Sequence, residues 1–139
     1  MSKLACAFAL IALATATTAA AQSAVPDLRG TWKGESESIV LGAGNAHHTV
    51  TSASEPELRS IAFTLTIDKQ DGRRFSGTFS SPRGGSKIVA VMSRGAIFLA
   101  DAEGFSNGTM LAPDRIELCY LKHGPDARIA SCLELTKQP

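Results

Sequence analysis

Hydrophobic and polar residues alternate at period two through short runs along most of the chain, and turn residues break those runs at regular spacing. No stretch beyond the N-terminus carries helical periodicity over ten or more residues, so the pattern predicts antiparallel strands. Arg59 to Lys69 is the clearest run. Ile61, Phe63, Leu65 and Ile67 take one face, while Ser60, Ala62, Thr64, Thr66 and Asp68 take the other. Gln70-Asp71-Gly72 marks a turn, after which Phe75, Gly77 and Phe79 resume the alternation. A three-residue loop with Gly72 left-handed sets Ile67 opposite Phe75 and Phe63 opposite Phe79, joining both apolar sets on one face.

The C-terminal pair of runs, Arg115 to Lys122 and Arg128 to Thr136, flanks Gly124-Pro125-Asp126-Ala127. Pro125 excludes the primed two-residue turns, which predicts a four-residue loop. Symmetry about that loop places Cys119 opposite Cys132, Leu118 opposite Leu133, Ile116 opposite Leu135 and Tyr120 opposite Ser131. It also sets Glu117 against Glu134, a like-charge pair that fits poorly. Gly30 to Leu41 reads as the first strand, and Lys87 to Arg94, Ala96 to Asp101 and Phe105 to Ala112 as three more. Gly42 to Pro56 holds either a weak edge strand or a mobile loop. About eight strands joined by short turns predict an all-β fold, an antiparallel up-and-down barrel whose closure removes exposed edges.

The N-terminus is organised differently. Met1-Ser2-Lys3 precedes an apolar run from Leu4 to Ala14, and Thr15 to Ala21 ends in Ala19-Ala20-Ala21. The run is too short to span a bilayer, and this order of segments is that of a secretory signal peptide. Cleavage is expected after Ala21, leaving residues 22–139 as one β-barrel domain in the bacterial periplasm or the medium. No stable membrane insertion is expected after cleavage, because no second apolar segment follows. Cys6 lies at the start of the apolar run, the wrong place for a lipid anchor. Cys119 and Cys132 then remain, and an even count in an oxidising compartment favours a disulfide between them.

Composition narrows the function classes. Hydrophobic residues make up 44% and charged residues 19%, as in a packed globular chain. Lys3 is the one charge of the leader, so the remainder balances its basic and acidic side chains. A neutral domain gives no reason to expect a nucleic-acid partner. Arg73-Arg74 and the basic segment Pro82-Arg83-Gly84-Gly85-Ser86-Lys87 read as solvated surface, the second as a mobile loop. Asn107-Gly108-Thr109 matches a glycosylation sequon by chance.

Gly30-Thr31-Trp32 opens the first strand with a G-x-W motif. This resembles the start of calycin barrels, the lipocalin and avidin type, and the strand rhythm matches. The resemblance implies that Trp32 closes the barrel base and packs against a basic side chain near the end of the last strand, here Lys137. The pocket aromatics of an avidin and the C-terminal helix of a lipocalin are missing, so biotin binding is not implied.

If Trp32 and Val40 point inward, so do Gly34, Ser36 and Ser38, while Lys33, Glu35 and Glu37 face water. Closure would set Ser131 of the last strand beside them, with Tyr120 across from it. Trp32, Ser36, Ser38, Tyr120 and Ser131 are therefore the candidate residues for a small, partly apolar ligand. His47, His48 and His123 are read as surface-loop residues, and no Cys or carboxylate stands at metal-ligand spacing from them. No activated-serine context is present, and Glu35, Glu37, Asp68 and Glu117 fall on the outer face, away from any cleft. The reading is a non-enzymatic exported barrel with no cofactor and no metal. The alternative is an envelope interaction protein or hydrolase inhibitor acting through Gly42 to Pro56 and Ser81 to Ser86.

Overall fold

A computed structural model describes residues 25–139, so the leader and its cleavage point lie outside the described residues. The described chain is all-β. Its strands are β1 (Gly30–Gly42), β2 (Glu57–Asp71), β3 (Arg74–Ser81), β4 (Gly84–Ser93), β5 (Ala96–Ala100), β6 (Phe105–Ala112), β7 (Arg115–His123) and β8 (Ala127–Lys137). Each pairs antiparallel with the next, and β8 returns to β1 to close the barrel. Closure leaves no sheet edge for another chain to extend.

The C-terminal hairpin has the register that its sequence predicts: Cys119 faces Cys132, Leu118 faces Leu133, Ile116 faces Leu135 and Tyr120 faces Ser131. The two cysteines are bonded on the outer face, their Cα atoms 4.1 Å apart. Glu117 does sit opposite Glu134, but Arg115 Nη1 lies 3.1 Å from the Glu134 carboxylate and offsets the repulsion.

The β2–β3 hairpin corrects the sequence reading. The faces are as expected, with Phe63, Leu65, Ile67, Phe75 and Gly77 inside. The partners differ: Leu65 faces Phe79 and Ile67 faces Gly77, and the turn is the two-residue Gly72-Arg73 between Asp71 and Arg74. Gly72 does take the left-handed conformation (φ 56°). The register shifts between Ile67 and Lys69, which makes Asp68 an extra, bulged residue. A second correction concerns Pro82 to Lys87. Only Pro82 and Arg83 form the turn, and β4 already begins at Gly84.

Gly34 and Gly77 mark places where strands approach too closely for a side chain. A Cβ on Gly77 would overlap the Thr66 carbonyl oxygen, and one on Gly34 the Glu134 carbonyl oxygen.

The interior below the mid-line is solid. Leu65, Ile67, Ile88, Ile97, Ile116 and Leu135 form one buried cluster with Trp32 and Leu28 at the base. Trp32 is fully buried and donates its indole N–H to the Leu28 carbonyl at 2.8 Å. Lys137 is its cross-strand partner, with Nζ 5.5 Å from the ring centroid and donating to the Asp27 carbonyl. Gln70 ties the entering segment down, accepting from Leu28 N–H and donating to the Pro26 carbonyl, both at 2.8 Å.

Candidate functional site

The opposite end of the barrel, its mouth, has a different interior. Period-two alternation in β1 turns Ser36 and Ser38 inward, where both are buried. β8 brings Ser131 directly across from Ser38, and the two oxygens lie 2.8 Å apart with Ser38 as donor. Ser36 Oγ is 3.1 Å from Ser38 Oγ. Tyr120 is half-buried beside them and donates its hydroxyl to the Glu103 carbonyl at 3.1 Å. Four of the five predicted residues thus share the mouth. Trp32 does not: it lies at the base, sealed into the core.

Gly42 ends β1, and the segment 43–56 that follows holds no strand and folds over the mouth. Its histidines overturn the surface-loop expectation, for His47 and His48 are both buried, while His123 is exposed as expected. Adjacent residues of a strand would point to opposite faces. Here they sit in a tight turn instead. Gly42 and Gly44 have positive φ (97° and 75°), and Asn45 N–H bonds the His48 carbonyl at 3.0 Å. Asn45 Oδ1 accepts the backbone N–H of His47 at 3.0 Å and of His48 at 2.7 Å. The turn drives both rings inward onto Phe63, His47 edge-on at 5.4 Å and His48 at 6.1 Å. Phe63 in turn stacks on Phe79 at 4.7 Å, and His48 lies parallel to Tyr120 at 6.4 Å. His47 is held by Ser81, its Nδ1 2.7 Å from the hydroxyl.

His48 completes the serine cluster. Its Nδ1 is 3.1 Å from Asn45 Oδ1, an oxygen already fixed as an acceptor by two backbone N–H groups, so the proton sits on Nδ1. Its Nε2, left as an acceptor, is 3.1 Å from Ser38 Oγ. Burial, with a smaller contribution from His47, lowers the His48 pKa to about 4, so the ring is neutral at neutral pH. Burial likewise raises the Tyr120 phenol, which stays protonated.

In this network Nε2 of His48 and Oγ of Ser131 compete for the single Ser38 hydrogen. Where Ser131 accepts it, the Ser131 hydroxyl is free to donate elsewhere. Ser131 lines a cavity of about 30 Å³ between His48, Phe63, Phe79 and Tyr120, roughly the space of one water. Asp101 and Glu103 stand at its rim, and no Lys or Arg is among the described residues lining it. Asn45, His48 and Ser38 fall in the order of groups that activates a serine. Ser38, however, is absent from the cavity wall and points at Ser131.

Among the described residues no group of three or more His, Cys, Asp or Glu side chains converges as a metal site. No helix among them is long and apolar enough to cross a membrane.

Comparison with known proteins adds little to this geometry. Neither a protein-family model nor a curated protein matches the chain. A solved structure of an S-type phycobiliprotein lyase from Guillardia theta is similar at 12% identity, covering 81% of this chain and 89% of that one. The TM-score is 0.30, too low for that likeness to support any functional argument.

Proposed function

We propose that the chain is an exported, non-enzymatic, calycin-like barrel that binds a small, uncharged, partly apolar molecule at its mouth. The observation that carries this reading is the buried Ser36–Ser38–Ser131–His48 cluster opening onto a void beneath the His47–His48 turn. Ser131 offers a donor to a carbonyl or hydroxyl oxygen, while Phe63, Phe79 and Tyr120 offer apolar ring faces. The Asp101 carboxylate at the rim disfavours an anion, while Glu103 is paired with Lys122 at 3.9 Å. The void holds only a water, so a larger guest enters by displacing the histidine turn. The Trp32–Lys137 pairing at the base supports the calycin-like reading, and the outward-facing Cys119–Cys132 bond fits an oxidising compartment.

The test is an amide-resolved NMR titration with small aryl ketones and phenols, alongside aryl carboxylates of matched size. The neutral compounds should shift the amides of His48, Tyr120 and Ser131, and Ser131→Ala should weaken them about tenfold, one lost hydrogen bond. Shifts that favour the carboxylates, or that avoid the mouth, would refute the proposal.

Of the contact segment Gly42 to Pro56 in the loop-acting inhibitor reading, the His47–His48 turn is buried, while Thr51 and Ala53 to Pro56 stay exposed.

A further inference from the structure

Two pairs of parallel rings stand in the mouth, and they are spaced differently. Phe63 and Phe79 stack in direct contact, their centroids 4.7 Å apart and their planes 9° from parallel. His48 and Tyr120 are stacked as nearly parallel, at 8°, but their centroids stay 6.4 Å apart. Both rings of the wider pair border the cavity, and Ser131 borders it with them.

The wider spacing is held from both sides. His48 is pinned at both ring nitrogens, Nδ1 to Asn45 Oδ1 and Nε2 to Ser38 Oγ, each at 3.1 Å. Tyr120 is pinned through its hydroxyl, which donates to the Glu103 carbonyl. Gly104 packs on the edge of the same ring, where a Cβ would stand 3.2 Å from Cε2. Rings without such tethers settle into contact, as Phe63 and Phe79 do.

Carbon atoms in contact rest about 3.5 Å apart, so one flat ring between two others needs them about 7 Å apart. The His48–Tyr120 pair is already close to that distance. A histidine turn that lifts to admit a guest has only to reclose slightly farther out. A puckered, saturated ring is thicker and does not fit the same slot.

We infer that the mouth takes a flat, uncharged, single-ring aromatic or heteroaromatic molecule, sandwiched between His48 and Tyr120 with a carbonyl edge turned to Ser131. This rests on the reading of the mouth as a small-molecule site and narrows the ligand to one shape. The cavity of about 30 Å³ restricts the guest to one ring.

Two lactams of one ring size separate shape from polarity: α-pyridone, which is flat, and δ-valerolactam, its saturated and puckered counterpart. In NMR titrations of the purified protein, α-pyridone should bind about tenfold more tightly. Its ring protons should shift upfield and show nuclear Overhauser contacts to the ring protons of both His48 and Tyr120. Tyr120→Leu should erase the preference, and Tyr120→Phe, which keeps the ring face, should retain most of it. Circular dichroism of both variants should match the wild type, and if Tyr120→Leu misfolds the wild-type Overhauser contacts decide. Equal binding of the two lactams at the mouth overturns the sandwich and leaves the mouth a small-molecule site. Binding of neither overturns it too, and if aryl ketones and phenols also fail, the mouth reading falls with it. Tighter binding of tetramethylammonium than of α-pyridone overturns it as well, marking an aromatic cage for a cation with Asp101 at its lip.

Discussion

One imidazole sets how the mouth responds to acid. His48 is neutral in the folded state with a pKa near 4, against 6.5 for the free side chain. The unfolded chain therefore binds a proton that the folded chain refuses as pH falls through that window. Stability should drop between about pH 6.5 and pH 4 and level off below it, a loss on the order of 3 kcal/mol from this group. Denaturant titrations across pH should show the slope in the wild type and a flatter one in His48→Gln. An equal slope in both would mean that other groups govern acid stability. At this scale the sequence was half legible. Ser36, Ser38 and Ser131 followed from strand alternation, which states a direction for every residue. His47 and His48 did not, because a loop has no period. The available signal was local turn chemistry, two glycines and Asn45 just ahead of the pair, which argues against a strand at that point.

Among the elements, the glycines separate two kinds of constraint. Gly77→Ala drives a methyl into the Thr66 carbonyl across the β2–β3 pair and should cost about 3 kcal/mol. Gly72→Ala meets open space and strains only a left-handed turn, so about 1 kcal/mol is expected. Thermal unfolding of the two variants checks the order, and a reversal would contradict the close approach at Gly77. The same hairpin shows where pattern reading stops. Beyond Ile67 the sequence runs Asp68-Lys69-Gln70-Asp71, four polar residues with nothing to mark which face each takes. A bulge at Asp68 is invisible there, and the partner register slid by two residues. The C-terminal hairpin escaped this because apolar and cysteine positions continue almost to its loop on both sides.

For the whole molecule, three closures act together: the β1–β8 seam, the Trp32–Leu28 plug at the base and the histidine turn at the mouth. The Cys119–Cys132 bond lies one strand from the seam, joining β7 to β8. It closes a loop with a sequence separation of 13, for which the chain-entropy estimate is about 3 kcal/mol. Reduction should lower the unfolding midpoint and leave the folded far-ultraviolet spectrum unchanged, since the barrel's ladders do not depend on the bond. Loss of the β spectrum on reduction alone would show that the bond is needed to hold the seam.

The central claim is that the mouth takes a small molecule, and native mass spectrometry of gently purified protein addresses it most directly. The account predicts an added small mass on each chain that survives gentle ionisation and leaves on denaturation. It also predicts that Ser131→Ala retains less of that mass. A bare polypeptide mass, from protein taken without denaturant from the cells that make it, would contradict the account.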